Sequence, residues 1–141
     1  MEVKQQALLK FHGVDFQQVN FLAMGVVPPE NKHIDMSITP SVYFPDYSES
    51  FFHVLFNVSL SSDKFFNLNI AAIGKFEIIG VPTDDIKNNF IHVSSAPIMF
   101  PYVRAFISTL TANLGKVPGT LSIPPHIFSG QLEIIEKKSN N

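Results

Sequence analysis

The chain has 141 residues, a net charge of −2, 45% apolar side chains and only 16% Asp, Glu, Lys and Arg. That length suits a single domain over residues 1–141 that buries about 68% of its unfolded surface, and that apolar content excludes a disordered chain. Arg104 is the sole arginine and the lysines are scattered, so the clustered cations that phosphate backbones demand are missing and nucleic-acid binding is excluded.

The opening residues, Met1-Glu2-Val3-Lys4-Gln5-Gln6, lack the apolar core of a signal peptide. No apolar run approaches the roughly 18 residues that a bilayer-spanning helix needs. Cysteine is absent, which removes disulfide and thiolate chemistry. A soluble, cytoplasmic protein is the expectation.

Leu9 and Phe11 alternate with Leu8 and Lys10, and Val19-Asn20-Phe21 continues the extended pattern. Met24-Gly25-Val26-Val27-Pro28-Pro29 breaks it, because adjacent prolines cannot supply ladder donors, and predicts a long apolar crossover loop. Ile34, Met36 and Ile38 alternate with Asp35, Ser37 and Thr39 as a strand with one wet face, which Pro40 is expected to end. Pro45-Asp46-Tyr47-Ser48 reads as a turn. Phe52, Val54, Phe56, Val58 and Leu60 share one face of the next strand, with His53, Asn57 and Ser59 on the other. A short polar connection, Ser61-Ser62-Asp63-Lys64, leads into a fourth strand from Phe65 to about Ile79. Gly74 within it predicts a bulge or a close backbone approach.

After Gly80-Val81-Pro82 the period changes. Thr83 is placed to cap a short helix with Asp84 and Asp85 in its first turn. Met99, Val103, Phe106, Ile107, Leu110 and Leu114 form the core stripe of a helix over 98–114, with Gly115 at its C-cap and Pro101 in the first turn or at a kink. A connection through Pro118, Pro124 and Pro125 follows, and a short final helix is expected from Phe128 to Lys137. Strands followed by helices predict an α+β fold, with the helices on one face of a four-stranded antiparallel sheet.

Catalytic and metal motifs are missing. The histidines at 12, 33, 53, 92 and 126 keep no ligand spacing. Gly74-Lys75 and Gly115-Lys116 lack the remaining glycines of a phosphate loop, and no Gly-x-Ser-x-Gly elbow occurs. Asp84-Asp85 suits a helix start better than an acid–base pair, and Arg104 suits a structural role at its helix. No enzyme and no cofactor is expected. Fourteen phenylalanines exceed what a core of this size hides, so some are expected to face a partner subunit or another polypeptide.

The segment Ala96-Pro97-Ile98-Met99-Phe100-Pro101-Tyr102-Val103-Arg104 resembles the Ile-Leu-Phe-Pro-Tyr-Ala-Arg stretch that opens the long helix of the SecB protein-export chaperone family. The likeness continues through Ile107, Leu110, Gly115, Pro118, Leu121, Ile123, Pro125 and Phe128. Gly74-Lys75-Phe76-Glu77-Ile78-Ile79-Gly80 is similar to the end of the family's fourth strand, and Val19-Asn20-Phe21 to its first. The resemblance implies a dimer of dimers that holds nonnative preproteins for the SecA motor, without nucleotide or metal on the chaperone. It also implies an acidic face for SecA, yet Gln18, Leu22 and Asn69 stand where the family carries carboxylates, which weighs against ordinary SecA coupling. Some SecB-like proteins instead hold one aggregation-prone antitoxin, and both clients stay open at this stage.

For client binding the expected residues are Phe21, Met24, Val26 and Val27 of the crossover loop, Ile34, Met36 and Ile38 of the second strand, and Phe128, Leu132 and Ile135 of the final helix. For homo-oligomer assembly they are Leu68, Ile70, Ala72, Phe106 and Leu110. A domain that binds a small hydrophobic ligand is the reading from another class.

Overall fold

Alternation of apolar and polar side chains persists through four long segments, and each is a strand in the computed structural model, which describes residues 6–25, 33–45, 49–125 and 128–135. They are β1 (Leu8–Ala23), β2 (Asp35–Tyr43), β3 (Phe51–Ser62) and β4 (Phe66–Ile79). A fifth strand, β5 (Glu133–Ile135), completes the order β1-β4-β3-β2-β5. The four long strands pair antiparallel, whereas β5 runs parallel to β2.

The sheet is therefore mixed and five-stranded, which corrects the expected four-stranded antiparallel sheet. The expected C-terminal helix is corrected too. Within the described part of Phe128–Lys137, Gly130 takes φ +79° and the chain then extends into β5. Glycine weakens a helix, and the β-branched pair Ile134-Ile135 suits a strand. Pro40 does not end β2, which runs on to Tyr43. Proline is tolerated at a sheet edge, and among the described residues β2 is an edge at residue 40, because β5 pairs with Ser41–Tyr43.

One face of the sheet carries the core. Phe52, Val54, Phe56, Phe66, Leu68, Ala72 and Phe76 are each no more than 2% exposed. Burying one such large side chain contributes about 1.5–3 kcal/mol, so this row dominates the fold's stability. Thr83 caps α1 (Asp84–Asn89) as expected, its Oγ1 accepting the Ile86 N–H at 3.3 Å. A π-helical turn, Phe90–Ser94, joins α1 to α2 (Ser95–Ala112), which starts three residues earlier than its apolar stripe predicts and holds Pro101 in its second turn.

Helix α2 lies on the core face. Met99, Val103 and Ile107 are fully buried there, while Phe106 stacks on Phe16 of β1 at 3.8 Å between ring centres. The continuous helical run Asp84–Ala112 is long and apolar enough to cross a membrane by length and composition, contrary to expectation. Its buried stripe marks it instead as the core helix of this domain. Gly74 is a point of close approach, since a Cβ there would meet Met99 Sδ at 2.7 Å. The bulges fall in the partner strand, between Phe11 and Val14 and between Phe16 and Gln18.

Candidate functional site

Beyond α2 the chain turns at Gly115, with φ +110°, and runs back along the helix. Three side chains of α2 pin it there. Thr111 Oγ1 accepts the Leu121 N–H at 2.9 Å, Ser108 Oγ donates to the Leu121 carbonyl at 3.0 Å, and Arg104 Nε donates to the Ile123 carbonyl at 2.8 Å. Residues three and four apart share one side of a helix, so 104, 108 and 111 form a single row of anchors. Alternation does the rest. Leu121 and Ile123 are buried, whereas Thr120, Ser122 and Pro124 are exposed.

This wall faces the start of β2 across a groove of ≈ 360 Å³. Ile34 and Met36 form one side and Leu60 lies between, with Pro118, Leu121, Ile123 and Pro124 opposite. No charged side chain lines it. From Asp35 to Thr39, β2 pairs with β3 on one side and with no described strand on the other, so among the described residues its outer main-chain groups have no ladder partner beside the groove. An apolar hollow next to an open strand edge can take an extended peptide. Side chains would enter the hollow and backbone groups would complete the ladder.

The structure sorts the expected client-binding residues. Ile34 and Met36 line the groove, and Met36 is 37% exposed. Ile38 follows them on β2, half-buried against the core. Phe21 lies on the same transverse row as Met36, through Leu68 and Leu60, about 14 Å away across three strand spacings. Met24 is 46% exposed, and its N–H donates to the Phe65 carbonyl at 2.7 Å. Val26 and Val27 lie outside the described residues.

Phe128, Leu132 and Ile135 are not on a helix. Phe128 stacks on Phe56 at 5.3 Å and meets Phe100 edge-on at 5.4 Å. Leu132 is buried, its N–H donated to His92 Nδ1 at 3.0 Å, while Ile135 is an exposed end of β5.

The assembly set needs a larger correction. Leu68, Ile70 and Ala72 are 0–2% exposed under α2 and have no surface left for a partner. Phe106 and Leu110 are half-buried beside β1. The accessible side of α2 carries Ile98, Tyr102, Ala105 and Thr109, without a charge. The groove residues Leu60, Pro118, Leu121, Ile123 and Pro124 were not expected at the site. Their signal was the alternation of Leu121 and Ile123 with polar neighbours, masked by flanking prolines.

On the sheet face away from α2, Gln18, Ser37, Thr39, Asn57, Ser59 and Asn69 surround an uncharged hollow of ≈ 190 Å³. Leu22 pairs with Asn67 on the same face, so the three positions where the resemblance implies carboxylates lie on one face. Charges flank the hollow on both sides: Asp35, on the row of Leu22 and Asn67, meets His33 at 3.0 Å, and towards the other end Lys75 meets Asp15 at 3.0 Å and His12 meets Glu77 at 2.8 Å. Burial and the nearby Lys75 cation hold His53 below the usual imidazole range, with Asp15 opposing. Among the described residues no group of three or more His, Asp or Glu could hold a metal ion.

Residues 28–123 match the family model described as preprotein translocase subunit SecB. An uncharacterized protein of Methanocaldococcus jannaschii is 27% identical over 97% of this chain and 90% of its own length. The fold is similar to that of a Mycobacterium tuberculosis SecB-like chaperone solved in complex with a ChAD peptide from the HigA1 antitoxin. The TM-score is 0.64 at 17% identity, over 83% of this chain and 90% of that one.

Proposed function

This chain belongs to the SecB family, and we propose that it is a chaperone subunit that holds extended, nonnative polypeptide without ATP. The family is one of chaperones and not of enzymes. The observation that carries the proposal is the uncharged groove between Met36 and Ile123, bordered by the open edge of β2. Backbone pairing along that edge is indifferent to client sequence, and apolar side chains of many shapes fit beside adaptable Met36.

Magnitudes favour several grooves acting together. Micromolar holding needs about 8 kcal/mol, or about 300 Å² of apolar contact before association costs. One short groove offers much less than that, whereas linked subunits add avidity without new contacts. We place the subunit contact on the uncharged side of α2, with half-buried Phe106 and Leu110 at its margin and a dimer of dimers as the assembly.

The uncharged hollow of the outer face, with Gln18, Leu22 and Asn69 where the family carries carboxylates, favours a dedicated client, such as an antitoxin, over delivery to SecA. A cytoplasmic location accompanies this reading. The test has two parts. Purified protein should suppress aggregation of a chemically unfolded protein with no nucleotide present. Polypeptide captured on the protein in cells should then be one abundant species for a dedicated client, or many for a general one. Saturation by one small apolar molecule per subunit, with no protection of unfolded protein, would establish the ligand-binding alternative instead.

A further inference from the structure

The edge of β2 is one continuous track, and its two halves differ. Asp35–Thr39 border the groove, while Ser41–Tyr43 are already paired with β5. The segment seated there has the chemistry of a client. It is extended, and Phe128, Leu132, Ile134 and Ile135 make it apolar. Two anchors hold it, the Phe128 ring against Phe56 and Phe100 and the buried Leu132 with its N–H on His92. Between them Gly130 takes φ +79°, a turn that favours glycine, with open space where a Cβ would stand. Beyond them the grip is slight. Among the described residues only three pair, and Ile134 and Ile135 remain 55% and 39% exposed.

We propose that residues 128–135 are a displaceable strap, a built-in substitute client that covers the upper half of the β2 edge until a longer extended polypeptide pairs along it. The inference rests on the holding function and adds its regulation. A chain long enough to reach from the groove to Tyr43 competes with the strap, whereas a short peptide uses the groove alone. The strap thus sets a minimum length for tight clients and covers an edge that would otherwise invite pairing between copies.

Absence of cysteine makes a clean test possible. Ser41 and Glu133 are direct partners across the β2–β5 ladder, at a strand spacing of about 4.8 Å that a disulfide spans. The full-length S41C/E133C protein is titrated, oxidised and reduced, into labelled carboxymethylated lactalbumin, a permanently unfolded probe that reductant leaves unchanged. The locked form should bind at least about tenfold more weakly than the reduced form, because locking removes the competent state. Phe128→Ala, which loosens the strap, should bind more tightly than the native protein. Equal binding by locked and reduced forms, or weaker binding by Phe128→Ala, overturns the strap and leaves the holding function standing. Failure of native and variant proteins alike to bind the probe rejects the holding function, and the strap with it.

Discussion

Thr111 Oγ1 accepts the Leu121 N–H at 2.9 Å while its own proton goes to the Ile107 carbonyl at 2.7 Å, so one fully buried hydroxyl joins the core helix to the groove wall. Thr111→Val keeps the shape and leaves the Leu121 N–H buried without a partner. The cost should be about 1–3 kcal/mol in urea unfolding, with weaker binding of unfolded protein as the wall loosens. Thr111→Ser retains the hydroxyl and should recover most of both. A valine variant as stable as the native protein would show that the bond contributes nothing.

Met36→Glu places a charge in a groove that has none. Because Met36 is 37% exposed, folding stability should change by no more than about 0.5 kcal/mol. Affinity for unfolded protein should fall about tenfold, which corresponds to about 1.4 kcal/mol. Anisotropy and thermal melts on the same sample separate these effects. Undiminished binding would place the client elsewhere.

Gly74→Ala drives a methyl group into Met99 Sδ, 2.7 Å from the ideal Cβ position, with Phe76 at 3.2 Å. Overpacking of this kind costs about 1–3 kcal/mol. In a Met99→Ala background the same change should cost clearly less, because the clashing sulfur is gone. Additive costs in that double-mutant cycle would mean that the two positions do not press on each other.

His53 is held below the usual imidazole range by burial and by Lys75, against a smaller pull from Asp15, so its neutral form is the one that suits the folded chain. As pH falls below 6.5, the unfolded chain takes up this proton first, and stability should drop. His53→Gln should flatten that part of the stability–pH curve and leave the curve above neutrality unchanged. An unaltered slope in the variant would assign the acid sensitivity to other groups.

The long strands and α2 were legible because their apolar periods are sustained: Phe52 to Leu60 step by two, and Met99, Val103 and Ile107 by four. Period two shows which side chains share a face but not what covers it, which is why Leu68, Ile70 and Ala72 read as surface. β5 was illegible for another reason. Leu132 and Ile135 are spaced as on a helix, and the partner strand ends 90 residues earlier, at Tyr43. The groove wall depends on side chains 10 to 19 residues away, and no local pattern announces such bonds.

Arg104 clamps the Ile123 carbonyl to α2. The groove therefore works like a vice with one fixed jaw. The fixed side travels only if the core helix travels, and all accommodation of guests of different girth falls to the opposite side, where Met36 is the pliant pad.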